Sequence, residues 1–151
     1  MGVDTKAIIR KGTTIEQITD SLSKKYDVLS VESTYDDKFF FINLNDGISN
    51  RSMAVSFNDT CERDDGIAGV WCSLGCRDNA VEVMKHLCET FGGYIDENDC
   101  DDEPYYPINI EEYLKGSEFT KLDELKNKII SKLGYENLNK ALELFEEYKN
   151  I

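Results

Sequence analysis

The sequence predicts an α+β fold: a mostly antiparallel sheet of about five strands with two helices on one face, followed by a C-terminal helical hairpin. Three observations carry this expectation. Segments of β-branched and aromatic residues follow one another between residues 28 and 74 with only polar, turn-forming stretches between them. Strands joined this closely pair antiparallel, because a parallel pair needs a long crossover. Two stretches with apolar residues at helical spacing flank those segments, near residues 14–26 and 79–91, and two more occupy the last thirty or so residues.

Taken in order, Lys6-Ala7-Ile8-Ile9-Arg10 is a short strand closed by Lys11-Gly12. Thr13 or Thr14 caps the first helix with Glu16 or Gln17 three residues on, and Ile15, Ile18, Leu22 and Tyr26 form its stripe. Val28–Thr34 is a strand with Leu29 and Val31 on one face. Lys38–Asn45 is the strongest strand, and Asp46-Gly47 opens a hairpin loop that runs on to Asn50. Arg51–Asn58 alternates, with Met53, Val55 and Phe57 on one face. Gly69–Leu74 sets Val70, Cys72 and Leu74 on one face and Trp71 on the other. The second helix starts near Asp78 or Asn79, buries Ala80, Val83, Met84, Leu87, Cys88 and Phe91, and stops at Gly92-Gly93. Tyr94-Ile95 is a last short strand.

After Pro107 the pattern turns helical. Asn109 caps a short helix, Ile110–Lys115. Leu122, Leu125, Ile129 and Leu133 form the next stripe, and Leu138, Ala141, Leu142, Phe145 and Tyr148 the last. The expected organisation is an α+β core domain over residues 1–107 and a helical segment over 108–151, packed on the core or extending from it. Strand 38–45 is apolar on both faces, which favours a tail packed against the second face.

Composition narrows the function classes. The net charge is −13, and it is concentrated. Residues 1–60 hold seven basic and nine acidic side chains, residues 61–110 three and twelve, and residues 111–151 seven and nine. The densest stretch, Asp96-Glu97-Asn98-Asp99-Cys100-Asp101-Asp102-Glu103, contains no basic residue. Such a segment repels nucleic acid and anionic membranes and attracts basic partners. There is no secretory leader pattern at the N-terminus and no apolar run of the ~18 residues that span a bilayer, so a cytoplasmic protein is expected. The five cysteines, an odd number, read as reduced thiols.

Motifs for chemistry are absent. No P-loop, dinucleotide fingerprint, nucleophile elbow or zinc-protease helix occurs. His86 lies off the apolar stripe of its helix and reads as a surface residue. Cys72 and Cys88 point inward, while Cys61 and Cys100 sit among acids, which disfavour a thiolate. Cys76, beside Arg77, has the only favourable electrostatics for a reactive thiol. An EF-hand count from Asp96 fails, because Asp101 stands where glycine is needed and Pro107 where the bidentate glutamate belongs. No residue is therefore assigned a catalytic, cofactor-binding or metal-ligating role.

The acidic run itself is the candidate site. Tyr94, Tyr105 and Tyr106 flank it, and tyrosine is enriched where partners bind. Carboxylates on alternate residues of an extended chain stand roughly 6.6 Å apart and can imitate a phosphate track. The expected partner contacts are Asp96, Glu97, Asp99, Asp101, Asp102, Glu103, Tyr105, Tyr106 and Trp71, and the expected partner is a basic protein, in particular a nucleic-acid-binding enzyme. In size, acidity and lack of motifs the chain is similar to phage-encoded inhibitors of nucleic-acid-handling enzymes, including anti-CRISPR and other anti-defence proteins. That likeness is one of composition and transfers no residue. It implies a non-enzymatic inhibitor or nucleic-acid mimic. Two other readings stay open at this point: a divalent-metal enzyme built on Asp64, Asp65, Asp99, Asp101 or Asp102, and a small-ligand binder with a pocket between sheet and helices.

Overall fold

The computed structural model describes residues 4–34, 38–57, 69–75, 78–98, 107–109, 112–113 and 143. Their order is β1 (Asp4–Ile9), α1 (Ile15–Ser23), β2 (Asp27–Ser33), β3 (Phe39–Asn45), β4 (Asn50–Ser56), β5 (Val70–Gly75), α2 (Ala80–Phe91), β6 (Gly93–Asn98) and the two-residue β7 (Pro107–Ile108). The strands form one sheet in the order β2-β3-β4-β5-β1-β6-β7, and every neighbouring pair is antiparallel. The α+β class and the antiparallel sheet thus agree with the sequence, with six full strands rather than five. Among the described residues no helix is long and apolar enough to cross a membrane. Of the expected helical segment over 108–151, only residues 108–109, 112–113 and 143 are among the described residues.

β1 lies inside the sheet, between β5 and β6, although it starts the chain. Its Ala7 and Ile9 face the helices, and Ile8 faces the other way; all three are fully buried. A strand apolar on both sides belongs in the middle of a sheet with cover on both faces. β5 and β6 flank β1 and run parallel to each other, joined by the crossover helix α2.

Both helices lie on one face. Ile18 and Leu22 of α1 and Ala80, Val83, Met84, Leu87, Cys88 and Phe91 of α2 share one core with Ile42, Leu44, Met53, Val55, Val70, Cys72 and Leu74. Helix α1 begins at a reciprocal cap: Gln17 N donates to Thr14 Oγ1 at 3.2 Å, and Thr14 N donates to Gln17 Oε1 at 2.9 Å. It ends earlier than its stripe suggests. Tyr26 lies beyond it, its N–H bonded to the Leu22 carbonyl at 2.7 Å. Helix α2 ends at Gly92, which has φ 74° and donates its N–H to the Cys88 carbonyl at 2.8 Å. Gly93 is needed for a different reason: a Cβ there would fall onto the backbone carbonyl of Ile8.

The second face carries a row set by the strand register: Phe39, Ser56, Trp71, Ile8 and Tyr94. Tyr94 and Tyr113 are buried there edge to face, with centroids 5.7 Å apart. Arg10 binds Glu112 at 3.2 Å, holding the same stretch to the end of β1. Phe39 and Phe41, further along this face, are half-buried and 5.1 Å apart.

In β2 the structure departs from simple alternation. The pairing to β3 shifts between Val28 and Ser30. The shift sets Val28 opposite Leu44 and Val31 opposite Ile42, so these two share the face of the helices and Leu29 falls in the irregularity; Val28 packs on the core, and Leu29 and Val31 are exposed. β6 is also longer than Tyr94-Ile95, because the main chain keeps pairing with β1 as far as Asn98.

Candidate functional site

The acidic run begins inside the sheet. Asp96 and Glu97 belong to β6, with Glu97 opposite Lys6 and Asn98 opposite Thr5. The register shifts between Lys6 and Ala7, which pairs with Ile95, so Asp96 has no direct opposite number. β7 pairs only with Gly93 and Tyr94. Among the described residues, no strand lies outside Ile95–Asn98. The start of the run is therefore extended backbone paired with β1. Asp99, Asp101, Asp102, Glu103, Tyr105 and Tyr106 lie outside the described residues, as do Asp64, Asp65, Cys61, Cys76 and Cys100.

Trp71 is half-buried on β5, two strands away from β6 in the row that passes through Ile8 to Tyr94. Its indole Nε1 is buried and has no hydrogen-bond acceptor among the described residues. Tyr94 is fully buried, so this tyrosine is a packing residue and not a surface contact.

His86 is not the surface residue the helix pattern predicts. It is half-buried, and its Nε2 lies 3.0 Å from both Oγ and the backbone carbonyl oxygen of Ser21. A carbonyl only accepts, so Nε2 carries the hydrogen and Ser21 Oγ accepts as well. Ser21 Oγ then donates to Thr90 Oγ1 at 3.3 Å. A histidine that donates to a serine does not act as its base. This cluster, with the Tyr26 ring 6.0 Å from the imidazole, joins α1 to α2. The stripe pattern missed it because the contact is made by another helix, not by residues on the same one.

The sequence reading also missed Asp46. This carboxylate is buried at the β3–β4 turn and fully satisfied. Oδ1 accepts from Ile48 N and Ser49 N, each at 2.8 Å. Oδ2 accepts from Asn79 N at 3.2 Å and Arg51 at 3.5 Å. Burial acts to raise the Asp46 carboxyl, but the N–H donors of Ser49, Ile48 and Asn79 and the Arg51 guanidinium outweigh it and hold it below its ordinary value. Arg51 also binds the Gly75 carbonyl and lies 3.8 Å from Asp78. The available signal was Asp-Gly, which reads as a turn but not as an anchor.

Cys72 and Cys88 are buried thiols, as their positions on the apolar faces predict. Burial pushes Cys72 up to about 12 and raises Cys88 as well, so neither is a nucleophile at neutral pH. Among the described residues no group of three or more His, Cys, Asp or Glu converges to hold a metal ion. An open cleft of about 360 Å³ lies between the α1–β2 turn and the β3–β4 turn, lined by Lys24, Lys25, Tyr26, Asp27 and Asn45. Its two lysines give it the opposite sign from the acidic run. No protein-family model, curated protein or solved structure matches this chain.

Proposed function

We propose that this chain is a small acidic interaction protein, not an enzyme, that binds and inhibits or regulates a basic protein of the nucleic-acid-handling kind. The observation that supports this reading is the position of the charge. Residues 61–110 hold twelve acids against three bases, and the run 96–103 starts on the extended backbone of β6. A carboxylate series whose first residues are held on a paired strand loses less freedom on binding than one on a tail. Its attraction to a basic groove acts over about 8 Å at physiological salt, which favours rapid, salt-sensitive capture. The contacts in this reading are Asp96, Glu97, Asp99, Asp101, Asp102 and Glu103, with Tyr105, Tyr106 and Trp71 at the margins. The compositional likeness to phage-encoded anti-defence inhibitors supports the same class, and with it the idea of a nucleic-acid mimic.

A competition experiment tests the mimic. A basic DNA- or RNA-binding protein held by the immobilised chain is challenged with duplex nucleic acid. Release by duplex, and loss of binding when Asp99, Asp101, Asp102 and Glu103 are changed to Asn or Gln, are the expected results. Capture that neither duplex nor the neutralised variant affects contradicts the reading.

A further inference from the structure

We propose that the outer edge of β2 docks an extended segment of a basic partner, which adds to the sheet as a further strand carrying arginine or lysine in alternation with apolar residues. β2 is the terminal strand of the sheet. Among the described residues no strand pairs on its outer side, and its main chain makes no hydrogen bond there. Six of its seven residues are exposed. Lysine, arginine and proline, which keep an edge from pairing, are absent from it. Its one protecting device is the irregularity between Val28 and Ser30, and this leaves Ser30–Ser33 in regular register opposite Asn43, Ile42, Phe41 and Phe40. Those four residues of β2 offer main-chain donors and acceptors to an added strand.

The register decides what that strand carries. A residue set directly opposite a residue of β2 points to the same face. Val31 lies opposite Ile42, on the side of the helices, and is 41% exposed although Ile42 is fully buried. An apolar side chain beside Val31 extends that core outward. Glu32 lies opposite Phe41, on the other face. It is exposed and has no ion pair among the described residues. The nearest positions on its face are Phe41 and Asn43 of β3 and Ala54 and Ser52 of β4, none of them a base. Lys24 and Lys25 are in the turn before Asp27, at the other end of the strand, and Lys38 already has a partner. A second acid beside Glu32 opposes pairing and a cation favours it. The complement therefore alternates, with a cation beside Glu32 and an apolar residue beside Val31.

Four paired residues make a small contact, so binding is weak and falls with salt. The edge shares no residue with the acidic run, and variants of each tell the two surfaces apart.

The probe is a dye-labelled synthetic peptide that alternates arginine and valine, titrated with the full chain up to about 300 μM at ~0.15 M salt and read by fluorescence anisotropy. Saturable binding is expected, with amide hydrogen exchange slowed at Ser30–Ser33 in the complex. A peptide of the same composition, with its arginines and valines in separate blocks, should bind at least about fivefold more weakly. Glu32→Lys should weaken the alternating peptide at least about fivefold, and Glu32→Gln serves with about a threefold loss if that variant does not fold. The variant with Asp99, Asp101, Asp102 and Glu103 changed to Asn or Gln should bind it within about twofold of the parent, because at this salt charges beyond a screening length contribute little. No saturable binding by the parent overturns the proposal. Equal binding of the block peptide overturns it too, because that is attraction to charge without an added strand. So does exchange that slows elsewhere and not at Ser30–Ser33. Loss of the peptide with the neutralised acidic run also overturns it, since the run and not this edge is then the site.

Discussion

Asn79 grips Asp46 from two sides: its backbone N–H donates to Asp46 Oδ2 at 3.2 Å, and its side-chain Nδ2 donates to the Asp46 carbonyl at 2.9 Å. The tip of the β3–β4 hairpin is thereby fixed to the start of α2, which has no side-chain cap of its own at Asn79. One carboxylate thus holds the turn, the buried Arg51 and the end of a helix together.

Asp46→Asn is expected to destabilise the fold by roughly 2–4 kcal/mol, because it takes the nearer of two carboxylates from the buried Arg51 and weakens the acceptor of three backbone N–H groups. The pH dependence follows from the sign of the shift. The folded carboxyl titrates below its ordinary 3.8, so its contribution is complete above that value and is lost as pH falls through the lower folded value. Melting temperatures of parent and variant should converge as pH drops below about 4. A gap that stays constant down to pH 2 contradicts this account.

Ser21→Ala and His86→Ala should each loosen α1 from α2. The histidine variant is expected to cost about 1–2 kcal/mol, since it removes a donor shared by two oxygens, and the serine variant about 1 kcal/mol. Their effects should be less than additive in a double-mutant cycle, because they remove the same contact. Full additivity in denaturant melts counts against the geometry described.

Gly93→Ala should cost at least about 2 kcal/mol, the order expected when added volume has nowhere to go against main chain. The clash is with the Ile8 carbonyl, which is fixed in a strand paired on both sides. A variant as stable as the parent in urea denaturation shows that β1 and β6 lie further apart than described.

Cys72 and Cys88 should resist alkylation in the native protein at pH 8 and react at once in denaturant, since burial holds the Cys72 thiol at about 12 and raises Cys88 too. Peptide-level mass spectrometry separates these two from the other three cysteines. Native labelling of either one at the rate of a free thiol contradicts the packing of β5 on α2.

The parts of this fold that were legible in the sequence are those decided by local chemistry. Thr14 with Gln17 announced the start of α1, Gly92 the end of α2, and the alternation in β4 and β5 the face they bury. What was not legible depends on partners distant in sequence. The pairing of β1 between β5 and β6 is set by residues about 65 and 85 positions away, which alternation does not report. His86 looked exposed because its partner, Ser21, is on another helix. Leu29 and Val31 looked like one face because the shift between Val28 and Ser30 is invisible to a period-two count. Of the candidate site, the charge was plain from composition, and its start on β6 was not, because Asp96 and Glu97 are poor strand formers held there by pairing with β1.

The measurement that tests the central claim most directly is capture from a lysate by the tagged full chain at low and moderate salt, read by mass spectrometry against a variant with Asp99, Asp101, Asp102 and Glu103 changed to Asn or Gln. The account predicts that basic nucleic-acid-handling proteins are retained by the parent, fall away as salt rises, and are lost with the variant. Equal capture by both chains, or no salt-sensitive partner at all, contradicts it.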